Sequence, residues 1–328
     1  MYSLSNRRIR QSPIMRSLTR EVTFDVSKLI QPLFVVESIS APESIPGLTG
    51  VHRESEASLL KQVERDLEKG VKSFLLFGVP AQKSEKAFNY DFTANQIHRL
   101  KARFGNEIFL SVDVCLCSYT SPGHCGILTD SFEHIDNGAS VAALAKAALS
   151  YAQAGVDCVA PSDMMDHRIR AIRETLDSHK LDRTLIMSYS AKFHSGFYGP
   201  FRAAADSAPK GDLKLKDRAT YQIDPAHPSD ALLSSLRDQE EGADILMVKP
   251  GLPYLDVLKE LSGQIPLPWA VYEVSGAYAA IELMAEKGLI DAKRAHLESW
   301  TAFFRAGAQM VITYGARNAQ TWMKGSTA

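Results

Sequence analysis

Two lysines in this sequence close apolar runs: Lys192 follows IMSYSA, and Lys249 ends ILMVK. A lysine enclosed by apolar groups beside a second cation loses proton affinity, and its neutral amine attacks carbonyl carbons to form Schiff bases. The alternative for each is a stem lying along a strand with its ammonium in solvent. Two such lysines ending different strands weigh toward chemistry. A second cluster is Cys115, Cys117 and Cys125, a C-x-C-x7-C arrangement with His124 adjacent, in DVCLCSYTSPGHCG. Three thiolates leave the fourth tetrahedral position of a zinc ion open for water or substrate. The spacing is not that of a zinc finger, and buried free cysteines are the competing reading. Cys158 lies inside an apolar run and reads as core.

A third group could hold an anion. Arg202 in YGPFR and Arg218 in KDRATYQ, with Gln222 close behind, offer the planar donors that match a carboxylate. Without the lysines nearby they would read as a solvated basic loop. Asp113, Ser162, Asp163, Ser275 and Tyr314 end other apolar runs and add acids and hydroxyls.

These residues need elements to bring them together. Eight short apolar runs fit strands: 29–35, 72–79, 108–114, 157–162, 184–190, 243–249, 269–275 and 310–314. Most are apolar throughout, as in parallel strands buried on both faces. Between them, 56–69, 141–154 and 230–241 have helical periodicity. Gly155, Gly242 and Gly307 stand where helices should end. Alternation of this kind predicts a (β/α)8 barrel with its site at the C-terminal ends of the strands. A doubly wound sheet is the alternative, but no G-x-G-x-x-G follows a strand. Residues 1–28 precede the first strand as an Arg-rich arm, and 29–328 form the barrel domain. The segment 193–224 is a long connection after the fifth strand, placed to act as a lid.

Composition agrees with a folded enzyme. The 328 residues carry 37 Lys and Arg against 38 Asp and Glu, a net charge of −1, with 45% hydrophobic residues. No basic excess exists to neutralise nucleic acid, and no run approaches the length of a membrane span. The N-terminus has basic residues without the apolar stretch of a secretory signal. Four cysteines are too few for a disulfide scaffold, so reduced thiols and a cytoplasmic location are expected.

The phrases that carry these residues resemble the 5-aminolevulinate dehydratase (porphobilinogen synthase) family. They are DVCLCSYTSPGHCG, VAPSDMMD, SYSAKFHSGFYGPFR, YQIDP, GADILMVKPGLPYLD, YEVSG and ITYGA, in family order over most of the chain. The resemblance implies a TIM barrel that condenses two 5-aminolevulinate molecules into porphobilinogen with loss of two waters. It implies Schiff bases on Lys249, for the substrate that becomes the propionate side, and on Lys192, for the acetate side. By the same match, Ser275 and Tyr314 bind the propionate-side carboxylate, and Arg202, Arg218 and Gln222 the acetate-side one. Asp113 and Ser162 lie near the propionate-side amine, and Tyr198 falls in the lid. Cys115, Cys117 and Cys125 match the ligands of a catalytic zinc, and the family's usual homo-octamer would assemble through N-terminal arms.

The chain departs from the family at several points. The lid is longer between Arg202 and Arg218, His167 stands where glycine is expected, and Glu273 and Ala277 occupy variable positions. Ser234 replaces the glutamate that holds an allosteric magnesium in some members, so no magnesium activation is expected through it. A class I aldolase-like barrel would use one lysine and no metal, leaving the cysteines idle. A non-catalytic, metal-holding barrel would show a damaged lysine or carboxylate clamp.

Overall fold

The computed structural model describes residues 6–208 and 215–324. Part of the expected lid, 209–214, and the ends of the arm and barrel, 1–5 and 325–328, lie outside the described residues. Eight parallel strands follow one another around a closed sheet: β1 Leu29–Val36, β2 Ser73–Val79, β3 Phe109–Val114, β4 Cys158–Pro161, β5 Leu185–Lys192, β6 Ile245–Lys249, β7 Trp269–Tyr272 and β8 Met310–Ile312. Pairing of Leu29 and Ile30 with Val311 and Ile312 joins β8 back to β1 and closes the barrel. The expected (β/α)8 barrel is thus the fold, with strand ends falling within three residues of those expected.

Each strand splits its apolar residues between two cores, as period-two alternation requires. Ile30, Phe34, Leu75, Phe77, Met187, Tyr189, Met247, Tyr272 and Ile312 fill the barrel interior. Leu33, Val35, Leu76, Val112, Leu246, Val248 and Val271 pack outward under the helices. The principal helices of the outer ring are α1 Glu56–Glu68, α2 Asp91–Phe104, α3 Asn137–Gln153, α4 Arg168–Ser178, α5 Pro228–Glu240, α6 Leu255–Gln264, α7 Ala292–Ala306 and α8 Ala316–Lys324. α3 begins four residues before the periodic stretch because Asp136 caps it, its side chain accepting from Ala139 N at 3.0 Å. The expected helix-ending glycines have φ of 95° at Gly155, 99° at Gly242 and 115° at Gly307.

Two features escape apolar patterning. A short antiparallel pair, Glu43–Ser44 with His52–Glu54, adds to the edge of β1 after its mouth end. Its polar sequence gives no strand signal. The arm residues 6–28 contain a short helix, Pro13–Leu18, that buries no residue.

Under β4 and β5 lies a wholly buried ion network. Arg168 pairs with Asp238 at 3.0 Å and approaches Asp163 at 3.6 Å. Ser188 Oγ donates to Asp238 at 2.6 Å and accepts from Arg168 at 3.1 Å. Arg237, half-buried, also reaches Asp238 at 3.3 Å, so removing Arg168 leaves Asp163 with no cation in the core and Asp238 with one, a loss of about 3–5 kcal/mol. Arg168→Met should therefore lower the urea midpoint sharply without changing the m-value; a midpoint within experimental scatter of the parent would refute this. Next to Arg168, His167 has φ 63°, the left-handed conformation that explains why glycine is expected there. Its Nδ1 lies 2.6 Å from Glu241 Oε1.

Candidate active site

The two lysines meet through a fault in the strand. Ser188 pairs with Leu246, but Ala191 pairs with Val248, so β5 carries one more residue than β6 over this stretch. Tyr189 faces the barrel interior, whereas Ser190 bonds Ser235 on α5 and Ala191 joins the outer core. With two successive residues outside, Lys192 turns inward and stands opposite Lys249. Strict alternation from Met187 would have sent Lys192 outward. Bulges re-aim side chains in this way.

Both lysines are 4% exposed. Lys192 Nζ donates to the carbonyl of Ser162 at the end of β4. Lys249 Nζ lies over the rings of Tyr272 at 4.3 Å, Phe201 at 4.9 Å, Tyr189 at 5.0 Å and Tyr198 at 5.5 Å. Burial, and then the neighbouring Lys192, lower the Lys249 pKa to about 7. The aromatic faces favour a cation there, so they also suit the positive charge of an iminium. Asp113, at the end of β3, is pushed up to about 6 by burial, opposed by the Ser162 hydroxyl and both lysines. Its Oδ1 has no hydrogen-bond partner.

The cysteine cluster forms where β3 runs into its loop. The sulfur atoms of Cys115, Cys117 and Cys125 all lie within 4.8 Å of one another, and all three residues are buried. Cys125 is held well below the usual thiol range by hydrogen bonds from Cys115 and Cys117, helped by Arg218 and Lys192. Three converging sulfurs with one favoured thiolate fit a soft or borderline divalent metal such as zinc. The loop is held to the lid by His124, whose ring nitrogens lie 3.1 Å from Tyr221 Oη and 3.0 Å from Leu215 O.

The lid root and the first lid helix, Gly199–Ala204, cover the mouth. Phe201 packs 5.2 Å from Phe77 and 5.8 Å from Phe34, while its N–H donates to Ser275 Oγ at 3.0 Å. A side chain at Gly276 would meet the Phe197 carbonyl oxygen at 2.6 Å, so glycine permits this close approach. Farther along, Lys83 donates to the Asp206 carbonyl and pairs with its carboxylate at 2.8 Å. Ser118 Oγ donates to Ala205 O at 2.9 Å. Arg218 donates to Ser207 O at 2.5 Å and to Gly123 O at 3.0 Å.

Arg202, Arg218, Gln222, Ser275, Tyr314 and Tyr198 lie around the two lysines, whereas Asp163 turns to Arg168 at 3.6 Å and Cys158 is wholly buried in the interior core. Arg202 Nε, Arg218 Nε and both polar atoms of the Gln222 amide are buried without partners, three unfilled donors and one unfilled acceptor on one side. Burial and the adjacent Arg218 lower the pKa of Arg202. On the other side, Tyr314 Oη lies 3.2 Å from Tyr272 Oη, and Ser275 opens the helix Ser275–Glu286. Tyr198 Oη donates to Phe193 O at 2.8 Å, bracing the lid root. Ala277 is buried in the interior core. Sequence reasoning missed Tyr189, Phe201 and Tyr272, the walls around Lys249, although alternation within SYS and AVY would place both tyrosines inside. It also missed Lys83 and Ser118, polar loop residues that carry no pattern.

Comparison with known proteins then gives a consistent result. A family profile described as Delta-aminolevulinic acid dehydratase matches residues 4–322. A Delta-aminolevulinic acid dehydratase of Bacillus subtilis (strain 168) is 39% identical over 322 residues, covering 97% of both chains. The protein of that name from Escherichia coli (strain K12) is 41% identical over 314 residues, covering 94% of both. A crystal structure of porphobilinogen synthase from Toxoplasma gondii ME49, in complex with its product porphobilinogen, superposes with a TM-score of 0.94 at 42% identity, covering 99% of this chain and 92% of that one.

Proposed function

The chain belongs to the delta-aminolevulinic acid dehydratase family, and we propose that it condenses two 5-aminolevulinate molecules into porphobilinogen with release of two waters. The observation that carries this reading is the pairing of Lys192 with Lys249 across adjacent strands, buried at one barrel mouth. Each amine adds to a substrate ketone and expels its oxygen as water, which accounts for both waters. The enamine carbon of one substrate adds to the imine carbon of the other, and loss of a proton from the attacking carbon expels the first lysine. Attack of the freed substrate's amine on the remaining imine displaces the second, so both lysines return as free amines. A neutral Lys249 is the better first nucleophile, and its aromatic walls exclude water that would hydrolyse the imine.

Two carboxylates of one substrate type need two clamps. Arg202, Arg218 and Gln222, with their unpartnered donors, suit the acetate-side carboxylate. Ser275 and Tyr314 suit the propionate-side one, and Asp113 and Ser162 stand beside the lysines to receive the substrate amine. Tyr198 holds the lid root over Lys249. Cys115, Cys117 and Cys125 would hold zinc, which when bound supplies Lewis acidity toward a substrate oxygen.

The arm, residues 1–28, serves subunit contacts in this reading, ahead of the catalytic barrel at 29–328. Ile14 and Leu18 on the arm helix are each 75% exposed, which supports assembly into a homo-oligomer, an octamer by the family pattern. No helix among the described residues is long and apolar enough to cross a membrane, in keeping with a cytoplasmic site of action.

Porphobilinogen formation from 5-aminolevulinate by the purified, zinc-loaded protein tests the reading; absence of product would sink it. The same assay addresses magnesium. Ser234 Oγ accepts from Arg237 at 3.3 Å, and Arg237 pairs with Asp166 at 2.6 Å. A guanidinium already neutralises the acid next to Ser234. Titrating magnesium into metal-stripped, zinc-restored enzyme should leave the rate unchanged, and clear stimulation would count against this.

A further inference from the structure

Behind Ser275 and Tyr314 lies a buried acid–histidine–acid chain that the proposed chemistry does not use. Glu273 stands one residue past β7 and two before Ser275. Its Oε2 accepts from Thr313 Oγ at 2.5 Å and from Trp300 Nε1 at 3.0 Å. Its Oε1 lies 3.2 Å from His296 Nδ1, and the other ring nitrogen lies 2.9 Å from Glu282 Oε1. Glu273, His296, Trp300 and Thr313 are fully buried.

The connectivity gives this chain its meaning. Thr313 immediately precedes Tyr314, and Glu282 sits on the helix that Ser275 begins. One carboxylate therefore ties the end of β7 to the end of β8, and one imidazole ties that carboxylate to the Ser275 helix. Trp322 stacks on His296 at 5.2 Å and 7°, which leaves the ring no freedom to swing away. Both ring nitrogens face carboxylates, an arrangement that favours the doubly protonated imidazole. The two carboxylates outweigh the opposing effect of burial and raise the His296 pKa.

We propose that Glu273 is a positioning residue for the Ser275 and Tyr314 clamp, kept in place by Thr313 and by the His296–Glu282 pair. The inference rests on the assignment of those two hydroxyls to the propionate-side carboxylate. They come from separate elements, and displacement of a positioned group by about 1 Å can cost about 100-fold. Glu273 is the group that fixes their spacing.

Thr313→Val tests it at constant shape, removing the hydroxyl that donates to Glu273 at 2.5 Å and accepts from the Gly315 N–H at 3.1 Å. The probe is levulinate, which has the substrate's ketone and carboxylate but no amine. Borohydride trapping of its imine at Lys249 gives a half-saturating concentration and a maximal extent. Thr313→Val should raise the half-saturating concentration about tenfold, as loss of a hydrogen bond to a charged group implies, with the maximal extent within about twofold. Thr313→Ser, which restores the donor, should stay within about twofold of the parent in both. A Thr313→Val protein with a lowered Tm but unchanged half-saturation would make Glu273 structural only and overturn the proposal. Ser275→Ala separates the two levels. If it weakens levulinate and Thr313→Val does not, the clamp stands and the Glu273 role falls. If Ser275→Ala changes nothing, the clamp assignment itself fails.

Discussion

Lys249→Met is expected to abolish the borohydride-trapped imine at this position and to lower kcat by roughly 10⁴–10⁶-fold, the range for loss of a covalent nucleophile. The same variant should melt at a higher temperature than the parent. Both follow from one fact: Lys249 is buried beside Lys192, with its pKa at about 7. Near neutral pH a large share of its amine is unprotonated and able to attack a ketone. In the unfolded chain the same lysine keeps an ordinary pKa near 10.4. The folded protein therefore binds fewer protons than the unfolded one between these values, and stability rises with pH across that window. The Tm advantage of Lys249→Met should be largest at and below about pH 7 and fade toward pH 10. Trapping by the parent should rise as pH climbs through 7. An undiminished adduct in Lys249→Met would move the first imine to another amine, and a pH-independent Tm difference would refute the linkage.

Stripping the thiol site with a chelator is expected to reduce porphobilinogen formation by at least about 10²–10³-fold, the usual scale for loss of one electrostatic stabiliser in a buried site. Zinc should restore the rate, and magnesium should not, because three converging thiols are soft ligands. Cys125→Ser should reproduce the loss and lower the zinc bound per chain, since Cys125 is the sulfur most readily ionised here. Levulinate trapping at Lys249 should survive both treatments, because imine formation at that amine draws on Lys192 and the aromatic walls. A stripped protein with full rate would remove the metal from the reaction while leaving the two-lysine chemistry intact.

Much of this site is legible in the sequence because parallel barrels concentrate function at strand ends. Lys249 and Asp113 end apolar runs, and three cysteines crowd one loop, so their convergence follows once the βα alternation is recognised. Lys192 is a different case. Its inward aim depends on the extra residue between Ser188 and Ala191, and nothing in SYSAK distinguishes a bulge from regular pleating. The lid contacts are also hidden, because Lys83, Ser118 and Ser207 are ordinary polar loop residues whose meeting is purely tertiary. His167 and Glu273 are visible only as departures from a family pattern. The structure gives each a cause, a left-handed backbone at His167 and a buried carboxylate with three donors at Glu273.

The fastening of the lid has a consequence for timing. Ser118 follows Cys117 directly, and Gly123 lies two residues before Cys125. The hydrogen bonds that hold Ala205 and Ser207 therefore bridge the lid to the loop that carries the thiols. An opening wide enough to free the lid's descending limb also loosens that loop. Release of product from the lysines and of any ion the cysteines hold would then be linked, because loosening the lid for one loosens the loop that holds the other.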